Sequence, residues 1–268
     1  MKDSLERSVT QKGFLFYIEY LIRSVPIFYI IVRKLIRFTN IFEEDAYGVK
    51  ILNYKKNKIT IIDVGASDGI ATKFFIKNLN VKKVFCFEPN IEFCKIINKK
   101  FKYNNTQVIV KNMAIGNKVG KTEIFIPNYF FLGKLFPLIT YTFYDKKKCT
   151  EQVKKDFINY KNFKIQKSYL NVVKPPDYLN DIDLIKIDIN GNEYDTLLSL
   201  KKIIIKNKPV LLIEGLDDMK KINFFLNSMG YECYVYKDKE FLKSNHKNKS
   251  LNYYFLQKDH LKKNLINE

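Results

Sequence analysis

Hydrophobic and polar positions follow a regular order from residue 58 onward. Short apolar stretches rich in β-branched residues predict seven strands, at 59–64, 81–87, 107–111, 184–188, 210–214, 231–236 and 252–257. Amphipathic stretches predict helices at 70–79, at 91–101, from about 193, and at 217–229. Strands that alternate with helices indicate an α/β fold with a doubly wound, mostly parallel sheet. The last two strands have a loop between them instead of a helix, so they are expected to form an antiparallel pair at one edge.

Two segments depart from this order. Residues 127–181 are rich in aromatic residues and lysine without a long period, and their part 127–175 is interpreted as an insert that covers the acceptor. Residues 1–50 predict a helical N-terminal extension, ahead of a domain that comprises residues 51–268. Segment 14–38 is apolar but interrupted by charges, so it lacks the ~20 apolar residues of a spanning helix. It either lies in a membrane surface with its basic residues toward anionic headgroups, or packs on the protein or on a second subunit of a homodimer.

The net charge of +19 comes almost entirely from lysine. Only four of the 47 basic residues are arginine, whereas nucleic-acid surfaces favour the two-point contacts of its guanidinium group. The charge therefore predicts no specific nucleic-acid partner. Four cysteines without CxxC spacing and two histidines near the C-terminus exclude zinc ribbons, disulfide scaffolds and serine-type triads, and they predict no metal site. The protein is expected to be cytoplasmic, and peripheral on the inner membrane face if segment 14–38 binds lipid.

Glycines and acidic residues lie where the predicted strands end. Ligands of open α/β sheets bind at these carboxyl ends. The first strand leads into Asp63-Val-Gly-Ala-Ser-Asp-Gly69, whose glycines permit a tight turn and a close approach of a ligand to the helix that follows. Glu88 lies 23 residues beyond Gly65, where nucleotide-binding sheets place a carboxylate for both ribose hydroxyls. Asn112-Met-Ala114 follows the third strand, and a polar residue with apolar neighbours can hold a purine ring.

The fourth predicted strand contains two charged residues. Lys186 and Asp188 flank one apolar residue, so their side chains point to the same face of the sheet. Burying them is costly unless they pair with each other or serve a ligand. Glu214 ends the fifth strand, and it completes a series of acids at the carboxyl ends.

The ordered set of motifs resembles the FkbM-type methyltransferases from about residue 58 to residue 257. The motifs are Asp63-Val-Gly-Ala…Gly69, Phe87-Glu-Pro-Asn90, Asn112-x-Ala114-x-Gly116, Asp183-Leu-Ile-Lys-Ile-Asp188-x-x-Gly-x-Glu193 and Pro209-Val-Leu-Leu-Ile-Glu214. The resemblance implies a seven-stranded, Rossmann-like class I fold that uses S-adenosylmethionine and typically methylates hydroxyls of sugars or polyketides. Asn190 stands where the family usually has an acid, so no role of that carboxylate is carried over.

The resemblance also implies roles for individual residues. The cofactor-binding set comprises Asp63, Gly65, Ala66, Gly69, Glu88, Pro89, Asn112, Met113, Ala114 and Asp188. Within this set, Asp63 attracts the ammonium group of the cofactor, Glu88 accepts the ribose hydroxyls, and Asn112 with Met113 holds the adenine. The catalytic candidates are Asp188 and Glu193, as acceptors of the hydroxyl proton, together with Lys186.

The function expected from these residues is methyl transfer to an acceptor hydroxyl. The acceptor would be a sugar in a surface glycan or glycolipid, or a secondary metabolite. Two alternatives stay open: a basic membrane-surface binding protein with a degenerate methyltransferase fold, and a nucleic-acid methyltransferase. Pro175-Pro-Asp-Tyr178 resembles the box of amino-group methyltransferases, but it precedes the fourth strand whereas that box follows it. A nicotinamide dehydrogenase would show GxGxxG, which the sequence lacks.

Overall fold

The structure is a computed structural model that describes residues 24–26, 28, 31, 32, 44–138, 142–215, 218–244 and 250–261. Segment 14–38 lies outside the described residues except at six positions. The chain divides into two compact units, one with residues 1–39 and 124–168 and one with residues 40–123 and 169–268. The boundary expected at residue 50 stays a prediction. No described helix is long and apolar enough to cross a membrane.

The strands and helices between residues 44 and 261 have the following bounds. The strands are β1 (Ile59–Val64), β2 (Val81–Phe87), β3 (Gln107–Lys111), β4 (Ala114–Ile115), β5 (Gly120–Phe131), β6 (Lys134–Pro137), β7 (Phe163–Val173), β8 (Leu184–Ile187), β9 (Val210–Glu214), β10 (Glu232–Lys237), β11 (Glu240–Lys243) and β12 (Asn252–Leu256). The α-helices are α1 (Ile70–Asn78), α2 (Ile91–Phe101), α3 (Lys146–Asp156), α4 (Glu193–Asn207) and α5 (Met219–Asn227). Short 3₁₀ helices span Glu44–Lys50, Tyr160–Asn162 and Lys258–His260.

The larger unit is built on one mixed sheet. Its strand order is β11-β10-β12-β9-β8-β1-β2-β3, and the five strands from β9 to β3 are parallel. Every residue of β1 and β8 is buried, as expected for strands with a helical layer on both faces. The predicted α/β fold with a mostly parallel sheet is confirmed.

The predicted number of seven strands is wrong, because β11 adds an eighth at the edge of the sheet. Asp238 and Lys239 have φ values of 51° and 69°, and this left-handed turn returns the chain antiparallel to β10. Only Phe241 of the four side chains of β11 is buried, so no apolar pattern marks the strand in the sequence. The predicted antiparallel pair of late strands is present as β10 and β12, but β11 and not one of these two strands forms the edge of the sheet.

Two apolar cores lie on the two faces of this sheet. Alternate residues of a strand point to opposite faces, and Ile61 accordingly belongs to one core while Ile62 belongs to the other. Phe75 of α1 packs in the first core, and Leu200 of α4 packs in the second. Both faces of the sheet are therefore closed, and the carboxyl ends of the parallel strands form the edge that a ligand can reach.

The described part of the smaller unit contains regular elements where the sequence shows no long period. β5 and β6 form an antiparallel hairpin, and Leu138, Val153 and Phe157 form a small apolar core. The hairpin has apolar residues on both faces, since Tyr129 is buried while Phe130 is half exposed. An alternation of apolar and polar residues is therefore missing, which explains why the sequence predicts an extended segment only at 121–126, in the first half of β5, and no strand at β6.

Candidate active site

The loop from Gly65 to Gly69 joins β1 to α1 through three left-handed residues. The φ angle is 78° at Gly65, 48° at Ser67 and 74° at Gly69, while Ala66 between them is buried. A Cβ on Gly65 would lie 1.8 Å from the carbonyl oxygen of Asp188. Only glycine satisfies both the backbone conformation and the available space at this position. The loop therefore brings the ends of β1 and β8 into backbone contact.

Glu88 follows β2 and binds the glycine loop through its carboxylate. Oε2 accepts a hydrogen bond from the N–H of Ser67 at 2.8 Å, and Oε1 accepts one from the N–H of Asn90 at 2.7 Å. Burial raises the pKa of Glu88 to about 7; the two N–H groups counteract this rise, and the charges of Asp63 and Asp188 add to it. Since a carboxylate oxygen has two acceptor sites, each oxygen retains capacity for a ligand hydroxyl.

The segment after β3 packs against the residues that follow β2. Asn112 Nδ2 donates to the carbonyl oxygens of Glu88 at 3.1 Å and Pro89 at 2.8 Å. Asn112 and Pro89 are exposed, Met113 packs half-buried against the core, and Ala114 is buried as the first residue of β4. The structure thus brings Asn112 to the Glu88 segment, while Ala114 contributes backbone pairing with β7.

Lys186 is buried among three carboxylates. Its Nζ lies 2.9 Å from Asp188 Oδ2 and 3.9 Å from Glu214 Oε2, and its side chain is only 2% exposed. Asp63 is its register partner on β1. Burial lowers the pKa of Lys186, but the charges of Asp188, Glu214 and Asp63 outweigh it, so the pKa is raised above its ordinary value. Lys186 therefore stays protonated and supplies the counter-charge of this group.

Asp63 is completely buried at the end of β1. Its Oδ2 accepts a hydrogen bond from Thr72 Oγ1 at 2.7 Å, and its Oδ1 has no hydrogen-bond partner within the described chain. Burial raises the pKa of Asp63, although Lys186 and Thr72 oppose this rise. Thr72 was not predicted as a site residue, and its only signal in the sequence is a polar residue on the buried face of α1. A buried carboxylate with spare acceptor capacity suits a site for a cationic group.

Strand register aligns the polar residues of the site in one row on one face of the sheet. Extending the pairing of β1 with β2 and β8 by one residue places Gly65 beside Glu88 and beside Asp188. The same extension places Asp188 beside Glu214, which pairs with Asn252 of β12. Neighbouring strands are about 4.8 Å apart, so Glu88 and Asp188 lie on the order of 10 Å apart across the row. Glu214 was recognised in the sequence as a strand-end acid, but no role in the site was predicted for it.

Glu193 is tied to the turn that follows Asp188. It begins α4, is buried, and accepts a hydrogen bond from the N–H of Gly191 at 2.8 Å. Asn190 and Gly191 have φ values of 56° and 114°, so this turn is left-handed. The carboxylate of Glu193 thus stabilises the turn, while Asp188, with a side chain 30% exposed, keeps access to a ligand.

The charged residues at the carboxyl ends of the strands can together attract a cation and accept a proton. Asp63, Glu88, Asp188 and Glu214 outnumber the single ammonium group of Lys186, so the carboxyl edge favours positively charged ligands when these acids are ionised. Among residues that the structure describes, no group of three or more histidines, cysteines or acids could hold a metal ion.

A protein-family model described as the methyltransferase FkbM domain matches residues 63–233. The match begins at Asp63 and spans the row of carboxyl-end residues as far as Glu214. The chain belongs to the FkbM methyltransferase family. The resemblance seen in the sequence is thereby confirmed, and with it S-adenosylmethionine as the cofactor.

Several solved structures are similar to this FkbM-family chain. The methyltransferase FkbM from Methylobacillus flagellatus KT is 15% identical with a TM-score of 0.47, over 77% of this chain and 47% of that one. TrmK from M. capricolum with S-adenosyl-homocysteine is 14% identical with a TM-score of 0.42, over 84% and 72%. A SAM-dependent O-methyltransferase from Thermotoga maritima is 11% identical with a TM-score of 0.41, over 81% and 65%. The chain thus spans about half the length of the first structure, and no curated protein matches it significantly.

Proposed function

We propose that this FkbM-family enzyme moves the methyl group of S-adenosylmethionine to a hydroxyl of a small acceptor. The acceptor is a sugar of a surface glycan or glycolipid, or a secondary metabolite. One observation carries the proposal: Asp188 places a partly exposed carboxylate beside the glycine loop, with its Oδ2 held by Lys186. A hydroxyl is a weak nucleophile until its proton leaves, so O-methylation benefits from a proton acceptor at this position.

The residues of the carboxyl edge fit S-adenosylmethionine. When bound, the cofactor supplies an electrophilic methyl group on a positively charged sulfur. Glu88 would accept the ribose hydroxyls with the acceptor capacity that Ser67 and Asn90 leave on its two oxygens. Asp63 would attract the ammonium group, since its Oδ1 has no partner within the described chain. Gly65 has no side chain, so the main chain of Asp188 packs directly against the glycine loop and holds Asp188 beside it.

Asn112 and Met113 would bind the adenine. Asn112 is fixed by its two hydrogen bonds to backbone carbonyls, which orients its side chain at the surface of the Glu88 segment. Met113 is half-buried against the core and offers a polarizable thioether to a ring. A polar edge contact beside an apolar face is the usual arrangement for a purine.

Asp188 would take the proton of the acceptor hydroxyl as the new carbon–oxygen bond forms. Lys186 holds Asp188 Oδ2 at 2.9 Å and stabilises the ionised form of the carboxylate before transfer. A base in this role typically contributes ~10²–10⁴ in rate, and orientation of the two substrates contributes up to about 7–11 kcal/mol. Lys186 acts through Asp188, since its Nζ is enclosed by carboxylates and its side chain is buried.

Three further expectations from the sequence belong to the same proposal. Residues 127–175 would cover the acceptor with their aromatic side chains. Residues 14–38 would contact a membrane or a second subunit. The protein would act in the cytoplasm, where acceptors of these classes are available at the inner face of the membrane.

Calorimetric titration with S-adenosylmethionine and S-adenosylhomocysteine, followed by product mass measurement with glycan and glycolipid acceptors, tests the proposal. A mass increase of one methyl group that survives alkaline hydrolysis, and that fragmentation of the product locates on an acceptor oxygen, identifies an ether product. Asp188→Asn is nearly isosteric, and it is expected to lose about 10²–10⁴ in turnover while its affinity for the cofactor changes much less.

Glu193→Gln is the comparison variant. Because Glu193 accepts a backbone N–H within the turn, its replacement should reduce stability by roughly 1 kcal/mol with little loss of turnover. Normal turnover in Asp188→Asn together with an inactive Glu193→Gln would show that the second carboxylate is the proton acceptor. Full activity in both variants would show that neither carboxylate acts as the proton acceptor.

A further inference from the structure

The turn of the β5–β6 hairpin contains a residue that fits neither its conformation nor its environment. Leu132 and Gly133 form the two-residue turn, with φ values of 48° and 76°. Such turns favour asparagine, aspartate or glycine, because a left-handed backbone brings the Cβ of other residues too close to a carbonyl oxygen. Leu132 is also 84% exposed, so burial within the protein does not explain it. A strained, exposed leucine at the tip of a hairpin points to a contact outside the protein.

Two more apolar residues lie next to this tip. Phe130 and Leu135 are cross-strand partners on one face of the hairpin, and they are 48% and 50% exposed. The opposite face packs inward, since Tyr129 is buried against Phe163 with ring centroids 5.1 Å apart. An antiparallel hairpin with one buried face usually carries polar residues on the other. Here the solvent face is apolar, and it is continuous with Leu132.

The surroundings of these three residues are cationic. Lys134 is exposed next to the turn, and Lys164 Nζ lies 5.9 Å from the centroid of the Phe130 ring. The sequence has no acidic residue between positions 124 and 144. Residues 124–168 contain nine lysines and three acids, a net charge of +6 over 45 residues, compared with +19 over all 268. Lys134 and Lys164 therefore place positive charge beside the apolar tip, within a segment that is more basic than the chain as a whole.

We infer that the tip formed by Phe130, Leu132 and Leu135 inserts into the surface of an anionic lipid bilayer. A stable protein–protein contact buries about 800 Å² on each partner through some 20–30 residues, which three side chains cannot provide. A bilayer requires no shape complementarity, so a few apolar side chains with lysines at headgroup level are sufficient for peripheral binding. The three residues of the tip do not belong to segment 14–38, and the inference does not depend on the methyl-transfer reaction.

Sedimentation of the full-length protein with lipid vesicles tests this inference. Wild type should bind vesicles of phosphatidylcholine mixed with phosphatidylglycerol, and bind vesicles of phosphatidylcholine alone much more weakly. Leu132→Asn should partition roughly ten- to a hundredfold more weakly into the mixed vesicles, since one leucine no longer enters the apolar layer. Asparagine adopts the left-handed conformation more readily than leucine, so the hairpin and the melting temperature should be retained.

Two other variants separate the contributions of the tip. Lys134→Glu should weaken binding to the mixed vesicles by about tenfold, and leave the weak binding to phosphatidylcholine unchanged. Phe224→Gln on α5 is the control, because Phe224 is 82% exposed in the other unit and its loss should leave vesicle binding unchanged.

Three outcomes would overturn the inference. The first is a wild type that does not sediment with anionic vesicles. The second is unchanged binding in Leu132→Asn, as expected if residues 14–38 alone bound the bilayer. The third is a wild-type dimer in vesicle-free solution that Leu132→Asn converts to a monomer, because the tip would then be a contact between two copies of the chain.

Discussion

The carbonyl oxygen of Asp188 occupies the space that a Cβ on Gly65 would need, 1.8 Å from that position. The N–H of Asp188 donates to the carbonyl oxygen of Val64 at 3.0 Å. Both backbone groups of Asp188 thus lie against the end of β1. The main chain of β1 and of the glycine loop therefore fixes the position of Asp188, the proposed proton acceptor. The proposed cofactor-binding loop and the proposed catalytic residue are thus held together by backbone contacts.

Gly65→Ala is expected to damage stability and cofactor binding together. A left-handed alanine costs ~1–3 kcal/mol, and the contact with the Asp188 carbonyl oxygen forces the loop and β8 apart in addition. Urea denaturation and calorimetry with S-adenosylhomocysteine measure the two losses. Gly215→Ala is the matched control, since Gly215 has a φ of +63° but, apart from its chain neighbours, no described residue has an atom within 4 Å of the position that its Cβ would take. Equal losses of unfolding free energy and of S-adenosylhomocysteine affinity in the two variants would contradict a role for the contact between Gly65 and the Asp188 carbonyl oxygen.

The strands that carry the site could be predicted from the sequence, because parallel strands buried on both faces are continuous apolar stretches. The predicted bounds of β1, β2, β3 and β9 match the structure. β11 could not be predicted, since its pairing depends on a left-handed turn at Asp238 and Lys239 and buries only one side chain.

The identity and order of the carboxyl-end residues of the site could also be predicted from the sequence. Their contacts and their burial could not. The contact of Lys186 with Glu214 depends on β9 lying next to β8, which the sequence does not state. Asp63 is completely buried while Asp188 is partly exposed, although both follow similar apolar stretches. The burial of a residue at a strand end depends on which helices cover it. This follows from the tertiary structure and cannot be seen in the local sequence.

Lys186→Met is expected to destabilise the protein strongly at neutral pH. It leaves Asp63, Asp188 and Glu214 without their counter-charge, and removal of one partner of a buried ion pair typically costs about 3–5 kcal/mol. The loss should shrink as the pH is lowered and the carboxylates become neutral. Urea denaturation of wild type and variant at several pH values measures the difference in the free energy of unfolding.

Lys221→Met is the control for the loss of a lysine. Lys221 pairs with Asp218 at 2.6 Å, but both side chains are substantially exposed, so the change should leave the free energy of unfolding almost unchanged. A comparably small cost for Lys186→Met, independent of pH, would mean that the buried carboxylates do not need their lysine.

His260 is expected to make stability fall in mild acid. Its Nδ1 accepts the N–H of Gln257 at 3.0 Å, so its Nε2 carries the proton and donates to the carbonyl oxygen of Lys208 at 3.0 Å. Burial lowers the pKa of His260 below 6.5; Lys55 adds to this shift, while the Lys208 carbonyl and Asp259 oppose it. A lowered pKa in a base means that its contribution to stability is complete above pH 6.5 and is lost as the pH falls further.

His260→Asn is the test of this dependence. The asparagine amide oxygen can still accept the N–H of Gln257, but the side chain does not titrate. The difference in unfolding free energy between wild type and variant, measured by urea denaturation, should therefore narrow as the pH is lowered from 7 toward 5. A constant difference over this range would show that His260 does not titrate on unfolding.

Glu88 is expected to make cofactor affinity depend on pH near neutrality. Ribose hydroxyls donate to an ionised carboxylate more strongly than to a neutral one, and the pKa of Glu88 is raised by burial to about 7. Affinity for S-adenosylhomocysteine should therefore increase as the pH rises through about 7. The same raised pKa predicts the opposite trend for the ligand-free protein, whose stability from Glu88 is complete below pH 4.5 and is lost as the pH rises through 7. Glu88→Gln should weaken binding by about a hundredfold at pH 8 and remove both trends, because its amide stays neutral. Calorimetric titrations from pH 5.5 to 8.5 measure the affinity of wild type and Glu88→Gln for S-adenosylhomocysteine. If this affinity depends on pH in the same way in both proteins, the titrating group is another residue of the carboxyl edge.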